Sequence, residues 1–120
     1  MTIMPPPSHV EISLVQKILD FYKICHSSVK LFAKQERYSL GQKIENSAFE
    51  ILEFALQAAY LPKYKKMEII RRASDKIDLL KYLLRLAYEI KSINFKRYIL
   101  LEEKIIEIGK MLGGWMKSIY

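Results

Sequence analysis

The chain has 120 residues, 51% hydrophobic and 28% charged, with only four glycines and four prolines. That is enough for one domain with a single core, and it excludes a disordered or low-complexity chain. The formal net charge of +7 lies wholly in residues 61–100, where eleven Lys/Arg face four Asp/Glu, while residues 1–60 and 101–120 are each neutral. A field with one positive side favours polyanionic partners and speeds their encounter.

The single cysteine, Cys25, excludes an internal disulfide and fits a reducing compartment or simple indifference to redox. Met1–Ser8 is uncharged and proline-rich, without the basic and apolar regions of a signal peptide. No apolar run approaches the roughly 20 residues that span a bilayer, because Lys81 and Arg85 interrupt the longest leucine-rich stretch. The expectation is a soluble, cytoplasmic protein that does not engage a membrane.

Residues 1–8 read as a disordered proline-rich lead, and 9–120 as one four-helix bundle. Ser8 is a candidate cap for the first helix, with Glu11 completing a capping box. That helix runs from about residue 9 to about 33 by its apolar stripe Leu14, Ile18, Phe21, Cys25, Val29 and Phe32. After a polar connection over 34–38, Ser39 is the expected cap of a second helix reaching Tyr60. Its stripe is Leu40, Ile44, Ala48, Ile51, Ala55 and Ala58, and Leu61-Pro62 ends it.

A third helix runs from about Lys63 to about Ser92 on Ile70, Ala73, Ile77, Leu80, Leu84 and Ala87. Asn94 caps the fourth. That helix carries the cleanest heptad: Tyr98, Leu101, Ile105, Ile108, Leu112, Trp115 and Ile119. Four similar helices on short links predict an all-α, up-down-up-down bundle.

The third helix carries a second apolar stripe, Leu79, Leu83, Leu86 and Ile90, beside the first. Wet in a monomer, it marks an oligomer interface. The alternative is a broad face buried in a tightly wrapped bundle. The remaining arc is polar: Arg71, Asp75, Asp78, Lys81, Tyr82, Arg85 and Glu89. The two aspartates read as ion-pair partners for Arg71, Lys81 and Arg85. Gly109 and Gly113 stack on one face of the fourth helix, which suits close helix approach. The alternative is a helix stop at Gly113-Gly114.

Catalytic chemistry finds little support. The histidines are His9 and His26, and no Glu-x-x-His pair of a di-iron bundle occurs. Cys25 and His26 point about 100° apart on a helix and form no dyad. Metal-ligand spacings and phosphate-loop motifs are missing, so no cofactor, metal or small-molecule substrate is expected. The basic set is the stronger lead: Lys63, Lys65, Lys66, Arg71 and Arg72 at the start of the third helix, then Lys81 and Arg85 flanking Tyr82. Such residues neutralise phosphates, and Tyr82 can stack on an unpaired base. The competing reading is a solvated lysine-rich face.

Three segments carry a resemblance. Arg37-Tyr38-Ser39-Leu40-Gly41-Gln42-Lys43-Ile44-Glu45 opens the second helix, Ile77 to Ala87 (IDLLKYLLRLA) forms the middle of the third, and Gly109-Lys110-Met111-Leu112-Gly113-Gly114-Trp115 lies near the end. Together, over about residues 10–118, they resemble the accessory variability determinant proteins of diversity-generating retroelements. The same four-helix family includes proteins encoded in intervening sequences of bacterial 23S rRNA genes. The resemblance implies a homopentameric barrel with a basic outer surface. In the retroelement branch that barrel is a non-catalytic accessory subunit. It binds the reverse transcriptase and template RNA, or an RNA/DNA intermediate, and supports mutagenic reverse transcription. Lys81 and Arg85 match basic positions of the family. The alternative expectation is an assembly protein of the intervening-sequence type that binds no nucleic acid.

Overall fold

The computed structural model describes residues 9–119; the proline-rich lead and the Ser8 cap lie outside them. Four helices pack antiparallel into a rod of 48 × 26 × 20 Å. The first, α1, is His9–Val29. The second, α2, begins as Lys34–Glu36, passes through a π-helical turn at Arg37–Gly41 and continues as Gln42–Ala59. Then come α3, Lys63–Glu89, and α4, Phe95–Ile119. In cross-section α1 lies against α2 and α4, and α3 against the same two, so each helix adjoins its chain neighbours and α4 closes the square onto α1.

The stripes expected from periodicity line the shared core. Every stripe residue of α1 and α3 is buried, with Phe32 just past the end of α1. On α2 and α4 the core members run from Ile44 to Ala58 and from Leu101 to Trp115. Leu40, Tyr98 and Ile119 pack against its margins. At a hydrophobic gain of about 25 cal/mol per Å², these stripes hold the bundle together. Four alanines, Ala48, Ala55, Ala58 and Ala59, face the core from α2, whereas Phe21 fills it from α1.

The entry to α2 differs from expectation. Ser39 is no cap, because the helix has already begun at Lys34. Its hydroxyl instead donates to the carbonyls of Gln35 (3.0 Å) and Glu36 (3.4 Å). This is the backward bonding of a mid-helix serine that loosens the local ladder, and the widened π turn sits here. Arg37 reaches back to the carbonyls of Lys30 and Phe32 and fastens the α1–α2 link. The other caps follow their chemistry. Asn94 Oδ1 accepts from the Arg97 amide at 2.8 Å. The end of α3 is a Schellman motif: the Ser92 amide donates to Ala87 and that of Lys91 to Tyr88, with Lys91 left-handed at φ 66°. The third helix therefore ends at Glu89, a little before Ser92.

The glycines divide by what surrounds them. A Cβ on Gly41 would lie 2.6 Å from Val29 Cγ1, so α1 and α2 meet there as closely as a bare backbone allows. Gly109 is in ordinary contact with Ile77 (3.8 Å), and nothing lies within 4 Å of a Cβ on Gly113 or Gly114. The expected tight helix approach is therefore absent at these glycines within the subunit, and α4 runs through them to Ile119. Gly41→Ala is expected to destabilise the fold by about 1–3 kcal/mol through overpacking. Gly114→Ala, by contrast, should stabilise the isolated subunit by up to about 1 kcal/mol. Urea denaturation of the two variants checks both signs.

Candidate nucleic-acid interface

The polar arc of α3 is where the helical spacing put it: Arg71, Asp75, Asp78, Lys81, Tyr82, Arg85 and Glu89 are all exposed. Between this arc and α4 runs a groove of about 550 Å³, lined by Asp78, Lys81, Tyr82 and Arg85 from α3 and by Tyr98 and Glu102 from α4. Tyr82 stands 71% exposed in it. Arg85 pairs through Nε with Glu89 at 2.9 Å, one turn on, rather than with an aspartate. Burial and the neighbouring Glu102 carboxylate raise the pKa of the Tyr98 hydroxyl. Tyr98 also stacks on Tyr88, with centroids 5.0 Å apart and planes within 9°.

The seven basic residues read from the sequence do not form one patch. Lys63, Lys65, Arg71, Arg72, Lys81 and Arg85 are exposed. Lys81 and Arg85 border the α4 groove. Arg72 lies one turn before Lys76, which pairs with Glu50 of α2 at 2.8 Å, so it belongs to the opposite, α2 side of α3. It is paired there with Glu68 at 3.0 Å. Lys65 sits beside Tyr64, 5.7 Å above its ring.

Lys66 parts from the set altogether. Its side chain is 14% exposed and points into the end of the bundle. The ammonium donates to Glu11 Oε1 (3.1 Å) and to the carbonyls of Ala58 (2.7 Å) and Ala59 (3.3 Å), and lies 5.4 Å above the Trp115 ring. An ammonium has three donors, and here all three are engaged. Lys66 is therefore a structural cation at the C-terminus of α2, where unpaired carbonyls and the helix dipole favour positive charge. The sequence grouped it with its neighbours because composition does not reveal direction.

The second apolar stripe is half absorbed. Leu83 packs against the core margin and Leu79 is partly covered, whereas Leu86 and Ile90 are 44% and 46% exposed. A larger apolar face lies elsewhere, on the seam between α1 and α2. Ile12, Leu19, Phe49, Leu56 and Tyr60 are exposed there, and Tyr22 packs on Phe49 with centroids 4.4 Å apart. At one end of it, His26 Nδ1 lies 2.7 Å from Glu45 Oε1. The signal for this face was in the sequence: Ile12, Val15, Leu19 and Tyr22 repeat at helical spacing beside the core stripe of α1, as the second stripe does on α3.

Cys25 is fully buried, and burial pushes its thiol far above the usual range, so it packs as a small apolar group. Among the described residues no cluster of three or more His, Cys, Asp or Glu is placed to hold a metal ion. Among them too, no helix is long and apolar enough to cross a membrane.

These features define an all-α four-helix bundle with one cationic, tyrosine-bearing groove and two exposed apolar faces. The chain belongs to the bAvd-like family, whose model matches residues 12–119. Its fold is similar to the crystal structure of a protein of unknown function from the S23 ribosomal protein family of Bacteroides thetaiotaomicron. The TM-score is 0.81 at 19% identity, over 90% of this chain and 98% of that one. No curated protein matches the chain.

Removing the Lys66 ammonium takes a cation from the buried Glu11 carboxylate and a donor from two helix-end carbonyls. Lys66→Met is expected to cost about 3 kcal/mol of stability, read as a lowered denaturant midpoint. Lys81→Met, on the exposed arc, should leave the unfolding free energy within about 0.5 kcal/mol of the parent.

Proposed function

We propose that this protein is a non-catalytic accessory subunit of a diversity-generating retroelement. It assembles as a homopentamer and binds template RNA and the reverse transcriptase through the basic side of α3. The observation that carries this reading is the exposed Lys81–Tyr82–Arg85 arc on a chain of the bAvd-like family. Its cations are on the outside, where phosphates reach them, and the remaining exposed basic residues of α3 extend the field along the rod.

The two apolar faces support the ring. Leu86 and Ile90 look outward beside α2, and the α1–α2 seam looks outward from the adjoining side of the bundle. A closed ring uses two different patches per subunit, each facing its complement on the next. Adjoining sides of a square bundle diverge by roughly 90°, the angle that closes a ring of four, and a splay to about 108° closes a ring of five. In such a ring α2 faces the axis, and the α3–α4 groove faces outward, where a polymerase and its RNA have access. Five repeats of a weak phosphate contact then act together through effective concentration.

A second reading, an assembly protein without nucleic-acid binding, draws on the carboxylates that already pair with Arg72 and Arg85. Light scattering coupled to gel filtration, with and without a structured RNA at low and high salt, separates the two. The expected result is a particle of five times the 14.2 kDa chain mass that shifts with RNA at low salt only. A pentamer indifferent to RNA at every salt concentration favours the assembly reading. Interface variants test the ring itself. Leu56→Lys and Leu86→Lys should each abolish it, and mixing the two should yield dimers, since each mixed pair retains one intact contact. Mixtures that remain monomeric would exclude these two faces as partners.

A further inference from the structure

We propose that the α3–α4 groove is a pocket for an unpaired nucleotide whose base carries an exocyclic amino group. This rests on the nucleic-acid reading above and goes beyond a phosphate-binding surface. The groove is lined by two cations, two carboxylates and two tyrosines: Lys81 and Arg85, Asp78 and Glu102, Tyr82 and Tyr98. A surface that held only phosphates would gain nothing from Asp78 and Glu102, which repel them. A nucleotide has a use for all three kinds of group. Its phosphate faces Lys81 and Arg85, which lie one helical turn, about 6 Å, apart along α3. The face of its base finds the ring of Tyr82, which stands between those cations in sequence and is 71% exposed. Its edge offers N–H donors, and carboxylates accept from amino groups such as that of cytosine.

The same groups reject a duplex. In a duplex the base faces are stacked and the pairing edges occupied, so Tyr82 and the carboxylates would find no partner. Tyr98 closes the floor of the groove. It is held by its stack on Tyr88, so its ring is positioned before a ligand arrives.

The test is fluorescence anisotropy with the full chain and three probes: a short oligocytidine, an oligouridine of equal length, and an RNA duplex. Oligocytidine should bind best, because uracil lacks the amino group, and the duplex least. Tyr82→Leu should weaken oligocytidine binding about tenfold and leave duplex binding unchanged, and Tyr82→Phe, which keeps the ring face, should restore it. Asp78→Asn should erase the preference for oligocytidine over oligouridine. Equal affinities for the three probes, or a Tyr82→Leu protein that binds oligocytidine like the parent, would overturn the inference. The double variant Lys81→Glu/Arg85→Glu tells the two failures apart. If it loses all RNA binding while Tyr82→Leu loses none, the phosphate surface stands and the pocket falls. If it binds every probe as the parent does, the nucleic-acid reading of α3 falls, and the pocket with it. All four residues changed are exposed, and circular dichroism is the check that each variant remains helical.

Discussion

A single ammonium group touches all four helices. Lys66 rises from the first turns of α3, donates to the last carbonyls of α2 and to Glu11 at the start of α1, and lies over Trp115 near the end of α4. The hydrophobic stripes bring the helices together without specifying how they align along the rod, because ridge-and-groove packing tolerates sliding by a turn. A buried cation with three fixed acceptors does not tolerate it. A slide by any helix would strand a charge or a helix-end carbonyl in an apolar setting, which costs several kcal/mol. The other end is held by weaker ties: Arg97 of α4 donates to the hydroxyls of Ser27 and Ser28 on α1, and Arg37 ties the α1–α2 link.

With the alignment fixed, the outer surface divides into sides of different chemistry. The α3–α4 side is charged and aromatic, the α1–α2 side is apolar, and the α2–α3 side mixes ion pairs with the second leucine stripe. Of the four sides, the two adjoining ones that carry apolar residues are those the proposed ring uses, and the α3–α4 side carries the proposed nucleic-acid groove. Family membership and this division of sides are independent lines of support, one from the whole sequence and one from the exposure of individual residues.

Much of this was legible in the sequence. Spacings of three and four named the core of all four helices, since burying one face of a helix forces that repeat whatever the partner. The same repeat placed Arg71, Asp78, Lys81, Tyr82 and Arg85 on the solvent arc, because a residue's angle on a helix depends only on its position in the chain. Asn94 announced its cap by residue type. Ser39 announced one that the chain does not use, because Ala33 had already let the helix begin and left the serine to bond backward within it.

The sequence by itself thus determined the four helices, their buried stripes and the charged arc of α3, all consequences of local periodicity. Tertiary structure alone decided that Lys66 turns inward while Lys63 and Lys65 stay outside. That choice depends on the C-terminus of α2, Glu11 and Trp115 converging on one point from distant parts of the chain. It likewise decided that Gly41 must be bare, because Val29 approaches from α1. It also assembled the groove, pairing the Lys81–Tyr82–Arg85 arc with Tyr98 and Glu102 on a helix that the sequence places after a separate turn. Periodicity fixes the angle of a residue on its own helix; what that residue meets is set by which helix packs beside it and at what height.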